Sequence, residues 1–166
     1  MFAVIESYIE SKIDELNTDY DTAVKINHIT NDLQLGQLAA SQADINWQVF
    51  LSEFEYTNEF ESLGWFNATV RLDMFFLIAG KDNTIYKNKY DEYVYPIAKF
   101  LWRDADNMNY STGDNANVNL YQVTSLSISN ADKFEEDYYM PSITVNIRGF
   151  DNSINNISGM EDGNLG

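Results

Sequence analysis

The sequence predicts an α+β domain: an antiparallel sheet of about five strands with a long hairpin, two helices packed on one face, and a flexible C-terminal tail. Three features carry this expectation. Residues 65–80, WFNATVRLDMFFLIAG, alternate along their whole length. Residues 2–16 and 85–106 repeat apolar side chains at helical spacing. Shorter alternating stretches recur at Ile45–Tyr56, Asn117–Ser129 and around Ile143–Ile147.

Taken in order, Phe2, Ile5, Ile9, Ile13 and Leu16 recur every three or four residues, with Glu6, Glu10, Lys12 and Glu15 off that stripe, so residues 2–16 read as an amphipathic helix. Thr22–Ile29 reads as a short strand and residues 30–43 as a loop. In Ile45–Tyr56, Ile45, Trp47, Val49 and Leu51 alternate with Asn46, Gln48, Phe50 and Ser52. Residues 57–64 then form a turn into the long strand, giving an extended antiparallel hairpin.

In residues 65–80, Phe66, Ala68, Val70, Leu72, Met74, Phe76 and Ile78 share one face, and Trp65, Asn67, Thr69, Arg71, Asp73, Phe75 and Leu77 the other. Fully extended, the stretch reaches roughly 50 Å, longer than the core of such a domain requires. A strand that outruns its core and carries a second, mixed face is suited to pairing with another chain. In the second helix, Tyr90, Val94, Ile97 and Leu101 line up, and Pro96 is expected to kink it or to mark a fresh start. Residues 104–117 read as an exposed loop, 130–139 as an acidic aromatic connection, and Ile143, Val145 and Ile147 as the last strand. The expected division is a single domain over 1–150 and a flexible acidic tail over 151–166.

The chain of 166 residues is 45% apolar and 14% aromatic, enough for a real core. Its 26 Asp and Glu against 10 Lys and Arg give a formal charge of −16. Such a surface repels nucleic-acid phosphates and anionic membranes, so neither is an expected partner. There is no cysteine, which removes disulfides, thiolate metal sites and cysteine nucleophiles. No run approaches the ~20 apolar residues of a membrane span, and the N-terminus lacks the pattern of a signal peptide. Synthesis in a cytoplasm is expected, so the glycosylation sequons at Asn67, Asn109 and Asn156 carry little weight.

Signals for catalysis are poor. The single histidine, His28, has no second one for a triad or zinc set. No phosphate-binding, dinucleotide or hydrolase motif occurs. Asp104-Ala-Asp106-Asn107 starts like a calcium loop, but Met108 and Asn109 stand where a ligand and a glycine belong. Acid pairs such as Glu53 with Glu55 and Asp91 with Glu92 read as solvated faces. No enzyme activity, metal or cofactor is therefore expected. Arg71 and Asp73, flanked by Trp65, Phe75 and Leu77, suit a subunit contact in which charge fixes register.

This layout of a short helix, a small antiparallel sheet with a long hairpin, a second helix, two more strands and a flexible end resembles the tail-terminator and tail-completion proteins of tailed bacteriophages. The resemblance covers roughly residues 1–150 and rests on element order and length. It implies a homo-oligomeric ring, commonly hexameric or dodecameric, at the head–tail junction of a virion. Portal-side neck proteins and the tail tube would be its neighbours, and DNA would pass an acidic lumen without sticking. The expected subunit-interface residues are Trp47, Trp65, Arg71, Asp73, Phe75 and Arg148. In the tail, Ile154, Ile157 and Met160 recur every three residues and are expected to dock on a neighbour. The alternative is a monomeric cytoplasmic inhibitor or immunity-type protein with an acidic surface.

Overall fold

The computed structural model describes residues 1–19, 26–28, 45–59, 62–77, 87–106, 108–113, 117–134 and 138–154. Alternation produces the central strand β3 (Ser62–Leu77), which pairs antiparallel with β2 (Ile45–Glu59) on one side and β5 (Tyr138–Asp151) on the other. β4 (Val118–Phe134) pairs antiparallel with the outer side of β5. The strand order is β1-β2-β3-β5-β4, where β1 (Ile26–His28) runs parallel to the start of β2. The antiparallel sheet is thus four-stranded, with a three-residue parallel strand beside it, rather than five strands all antiparallel. Parallel pairing needs a crossover of a dozen or more residues, and residues 29–44, outside the described set, supply that length.

Two other expectations are corrected. The strands do not stop for a turn at 57–64: β2 pairs through Glu59, and β3 begins at Ser62. Nor is 130–139 a connection, because β4 runs to Phe134 and β5 starts at Tyr138. The extra length lacks the apolar alternation by which strands are recognised. Irregular register at Thr57/Glu59 and Ala131/Phe134 breaks the two-residue period as well.

Helix α1 (Phe2–Asp19) buries Val4, Ile5, Tyr8, Ile9, Ile13 and Leu16. Residues 87–89 are helical, Tyr90–Val94 form a π-turn, and α2 (Tyr95–Trp102) follows with Pro96 in its first turn. Pro96 lacks an N–H, and the widened turn closes instead through Tyr95 N–H to Tyr90 O. A 3₁₀ turn, Arg103–Ala105, ends the helical run. Both helices share one hydrophobic core with a single face of the sheet. That face is built in cross-strand rows: Leu51–Val70–Val145–Leu126, Phe54–Ala68–Ile147–Val123 and Tyr56–Phe66–Gly149–Leu120. The stretch after α2 is less exposed than its polar sequence suggests. Met108 is buried, and Tyr110 exchanges two backbone hydrogen bonds with Leu120, 3.1 and 2.8 Å.

Two glycines on this framework lie directly under aromatic rings. A Cβ on Gly64 would stand 2.6 Å from Phe150 Cζ and 2.7 Å from Asp151 O. One on Gly149 would collide with the Phe66 ring and stand 2.7 Å from Asn119 O. Backbone on one side and a packed ring on the other leave no room to adjust. Gly149→Ala is therefore expected to lower unfolding free energy by ~2 kcal/mol or more, read from the urea midpoint, and an unchanged midpoint would contradict this packing.

Candidate assembly surface

The second face of the sheet carries the chemistry that the core does not use. Its cross-strand rows are Gln48–Asp73–Ser142–Ser129, Phe50–Arg71–Thr144–Ser127, Glu53–Thr69–Asn146–Ser125, Glu55–Asn67–Arg148–Gln122 and Thr57–Trp65–Phe150–Asn119. The middle rows are joined by side chains. The Thr69 hydroxyl donates to Asn146 Oδ1 at 2.5 Å, and Asn146 Nδ2 donates to Ser125 Oγ at 2.5 Å. This part of the face is hydroxyl and amide, with Glu53 and Glu55 exposed at its β2 side.

At one end lies Arg71, whose Nε is 3.0 Å from Asp73 Oδ1 and whose guanidinium lies 4.9 Å from the centre of the Phe50 ring. The Asp73 side chain is 7% exposed, against 48% for Arg71. Burial pushes the Asp73 carboxyl up, and Arg71 offsets only part of that. At the other end, Trp65 meets Tyr121 and Phe150 at ring separations of 5.6 and 5.1 Å. The Arg148 guanidinium lies over the Trp65 ring at 4.7 Å and pairs with Glu59.

The structure separates the six expected interface residues into three groups. Trp47 is misassigned. It pairs with Met74, points into the helix-side core, and is 2% exposed. Its parity with Ile45 and Val49 was the signal that places it there. Phe75 and Asp73 do lie on the second face, but they are 2% and 5% exposed within the single chain and so present no surface to a neighbour. Trp65, Arg71 and Arg148 remain accessible on that face, the first and last half-buried. Ile157 and Met160 lie outside the described residues. Ile154 is half-buried, directly after the turn that ends β5.

That turn was missed in the sequence, because a domain boundary at 150 cuts through it. Asp151 is 6% exposed and closes β5 against the outer part of β2. Tyr56 Oη donates to Asp151 Oδ2 at 2.8 Å, while the Ser153 amide and hydroxyl donate to Oδ1 at 2.9 and 2.5 Å. Burial raises the Asp151 carboxyl, but the Ser153 and Tyr56 donors outweigh it and hold it below the usual carboxylate range. The Tyr56 hydroxyl is pushed up to about 12 by partial burial and by Asp151.

The sheet edges are the other feature of this surface. Among the described residues, β2 from Val49 onward has no strand on its outer side, and neither does β4 from Val123 onward. On the helix side, the carboxylate of Asp104 accepts from Tyr8 Oη at 2.7 Å and lies 3.2 Å from Lys12 Nζ, so this first acid of the calcium-like stretch is already engaged. Among the described residues no cluster of acids and histidine suits a metal ion. No described helix is long and apolar enough to cross a membrane.

No protein-family model matches the chain, and no curated protein matches it. Solved structures similar to it include one whose name states no function. It covers 90% of this chain and 95% of its own, at 9% identity and a TM-score of 0.48. That likeness is too distant to bear on function.

Among the described residues, the two buried carboxylates respond to acid in opposite senses. Asp151, held low, contributes stability that is fully present above the usual carboxylate range and lost as pH falls from there through its lowered value. Asp73, held high, opposes folding when ionised and stops doing so as pH falls through its raised value. In urea titrations across pH, Asp151→Asn is expected to lower stability at neutral pH and flatten the acid limb. Asp73→Asn is expected to cost nothing at neutral pH. The reverse pattern would mean that the donors around Asp151 do not hold its charge.

Proposed function

We propose that this protein is a ring-forming structural component of a bacteriophage particle, of the neck or tail-terminator kind. Its sheet would join head to tail with that of the next copy. The observation that carries this reading is the pair of open edges and their directions. Across the sheet, β2, β3, β5 and β4 alternate in direction, so β4 runs opposite to β2. A rotation about an axis along the strands sets the next copy's β2 beside β4, antiparallel, and the alternation continues without a fault. Such a contact is heterologous, and it closes as a ring when the rotation divides the circle. Closure also removes two exposed edges that would otherwise invite uncontrolled pairing.

The helix layer needs the larger circumference, so the second face would line the channel. Its hydroxyls, amides and exposed Glu53 and Glu55 suit a wall along which DNA slides. A charge of −16 per chain, multiplied around a ring, opposes phosphate contact. Neighbouring neck and tail-tube proteins would be the remaining partners, and the virion the location.

Two bulges allow the edges to be blocked without breaking the sheet. Ser52 lies where the register of β2 shifts between Leu51 and Glu53, and Thr124 where β4 shifts between Val123 and Ser125. A bulged residue is left out of the regular inner ladder, so proline there disturbs the sheet less than at a paired position. At Thr124 it also removes the hydroxyl bond to Asn146 O, 3.2 Å. Ser52→Pro or Thr124→Pro is expected to reduce a ring to monomers in sedimentation, with the melting temperature nearly kept. A wild-type monomer at high concentration would instead favour the inhibitor reading.

Duplex DNA is expected to show no binding even at low salt, where attraction is strongest. Gel-shift or anisotropy titration checks this, and tight salt-sensitive binding would sink the proposed channel.

A further inference from the structure

The two outer strands are open over different stretches. β1 lies beside β2 at residues 45–47. On β4 the outer side of Leu120 is taken by Tyr110, through backbone hydrogen bonds of 3.1 and 2.8 Å. A junction that carried each cross-strand row straight on into the next copy would set the end of β4 where β1 lies, and the end of β2 where Tyr110 lies. What stays free and regular, among the described residues, is short. On β2 it is 53–57, between the register shifts at Leu51/Glu53 and Thr57/Glu59. On β4 it is 125–131, between those at Val123/Ser125 and Ala131/Phe134.

We infer that the copies join with a step: residues 53–57 of one chain pair antiparallel with residues 129–125 of the next, Phe54 opposite Ile128 and Tyr56 opposite Leu126. This rests on the head-to-tail strand pairing proposed above and fixes where along the strands the copies meet. Only an even shift keeps the helix-side groups on one face. Of the two such registers that hold all five β2 residues within 125–131, this one sets apolar against apolar, whereas the other sets Phe54 against Asn130. Phe54, Leu126 and Ile128 are the half-buried rim of the core at the two edges, and Tyr56 is 46% exposed. Backbone phase agrees. Leu120 turns its N–H and C=O outward to Tyr110, and every second row of the unshifted β3–β5 ladder repeats that direction. Leu126 and Ile128 on β4, and Phe54 and Tyr56 on β2, lie in such rows and present outward donors and acceptors. Each opposed pair then exchanges two hydrogen bonds.

Charge selects the β4 of a second copy over its β2. Glu53 and Glu55 stand exposed on the second face, and β4 opposes them with the exposed Ser129 and Ser127, whose hydroxyls donate to carboxylates. Two β2 strands meeting about a two-fold axis over the same window would set Glu55 against Glu55, and like charges directly opposite destabilise a pair. Tyr56 lies in the row of Phe66, and Leu126 in that of Val70, so the step is four residues for every four strands. Four residues rise about 14 Å and four strands span about 19 Å. The ring axis given above is thereby refined: it leans about 35° from the strands, and closing a sheet requires stagger with a tilt of this size.

The chain has no cysteine, so a disulfide reports a single contact. Glu55→Cys with Ser127→Cys sets two thiols at a directly opposed, non-hydrogen-bonded pair, about 4.5 Å apart at Cα and within disulfide reach. Both positions are exposed. On oxidation this double variant is expected to give a ladder of covalent multimers, and either single variant no cross-link. Glu53→Cys with Ser125→Cys is opposed only where rows run straight on. It is expected to give no ladder, its thiols lying about 14 Å apart along the stepped junction. If wild-type protein forms a ring that Ser52→Pro abolishes, yet the first double variant gives no ladder or the second gives one, the step is wrong and the edge pairing stands. A dimer from Ser127→Cys alone would show β4 meeting β4 and overturn both. If wild-type protein stays monomeric at every concentration, both fall.

Discussion

The pairing of β3 with β5 is the ruler against which the rest of the molecule is measured. From Trp65↔Phe150 to Leu77↔Tyr138 its register never shifts. On one side of this pair, Phe66, Ala68, Val70, Leu72, Met74 and Phe76 meet Ile143, Val145 and Ile147, all fully buried. A slip of one residue would turn every one of these groups to the other face and lift the helices off their floor. The apolar alternation therefore fixes a single register in the middle of the sheet. Gly149 under Phe66 and Gly64 under Phe150 lock it sterically at the far end.

The outer strands take up the irregularity that the central pair does not tolerate. Every register shift in the antiparallel sheet belongs to β2 against β3 or to β4 against β5. Bulges increase local twist and bend the strand that carries them. Placed on both outer strands, they leave the middle of the sheet regular.

How much of this was legible follows the physics of each element. β3 and α1 were readable because one face of each is committed to the core, so periodicity survives in the letters. Pro96 signalled a kink or fresh start in the second helix, but the π-turn that precedes α2 was not legible. The ends of β2 and β4 were not, because residues such as Asn58, Glu59, Asp132 and Lys133 belong to strand without an apolar period. The interface residues divide along the same line. Trp47 could have been placed in the core by its parity with Ile45 and Val49. The burial of Asp73 and Phe75 on the second face could not be read from alternation, which specifies a face but not what covers it.

The cations show how an acidic protein uses its few positive charges. Lys12, Arg71, Lys89, Lys99, Arg103 and Arg148 each lie over an aromatic ring of the same chain, between 4.4 and 5.9 Å from its centre. Lys12, Arg71, Arg103 and Arg148 are also ion-paired, with Asp104, Asp73, Glu15 and Glu59 among their partners. A cation held over a ring and beside a carboxylate is poorly placed to grip a phosphate, because doing so would break contacts already made. Removing basic residues lowers nucleic-acid affinity through net charge alone. Engagement of these six residues acts in the same direction, through geometry. On the second face this leaves Glu53 and Glu55 exposed while Arg71 and Arg148 are paired within the chain.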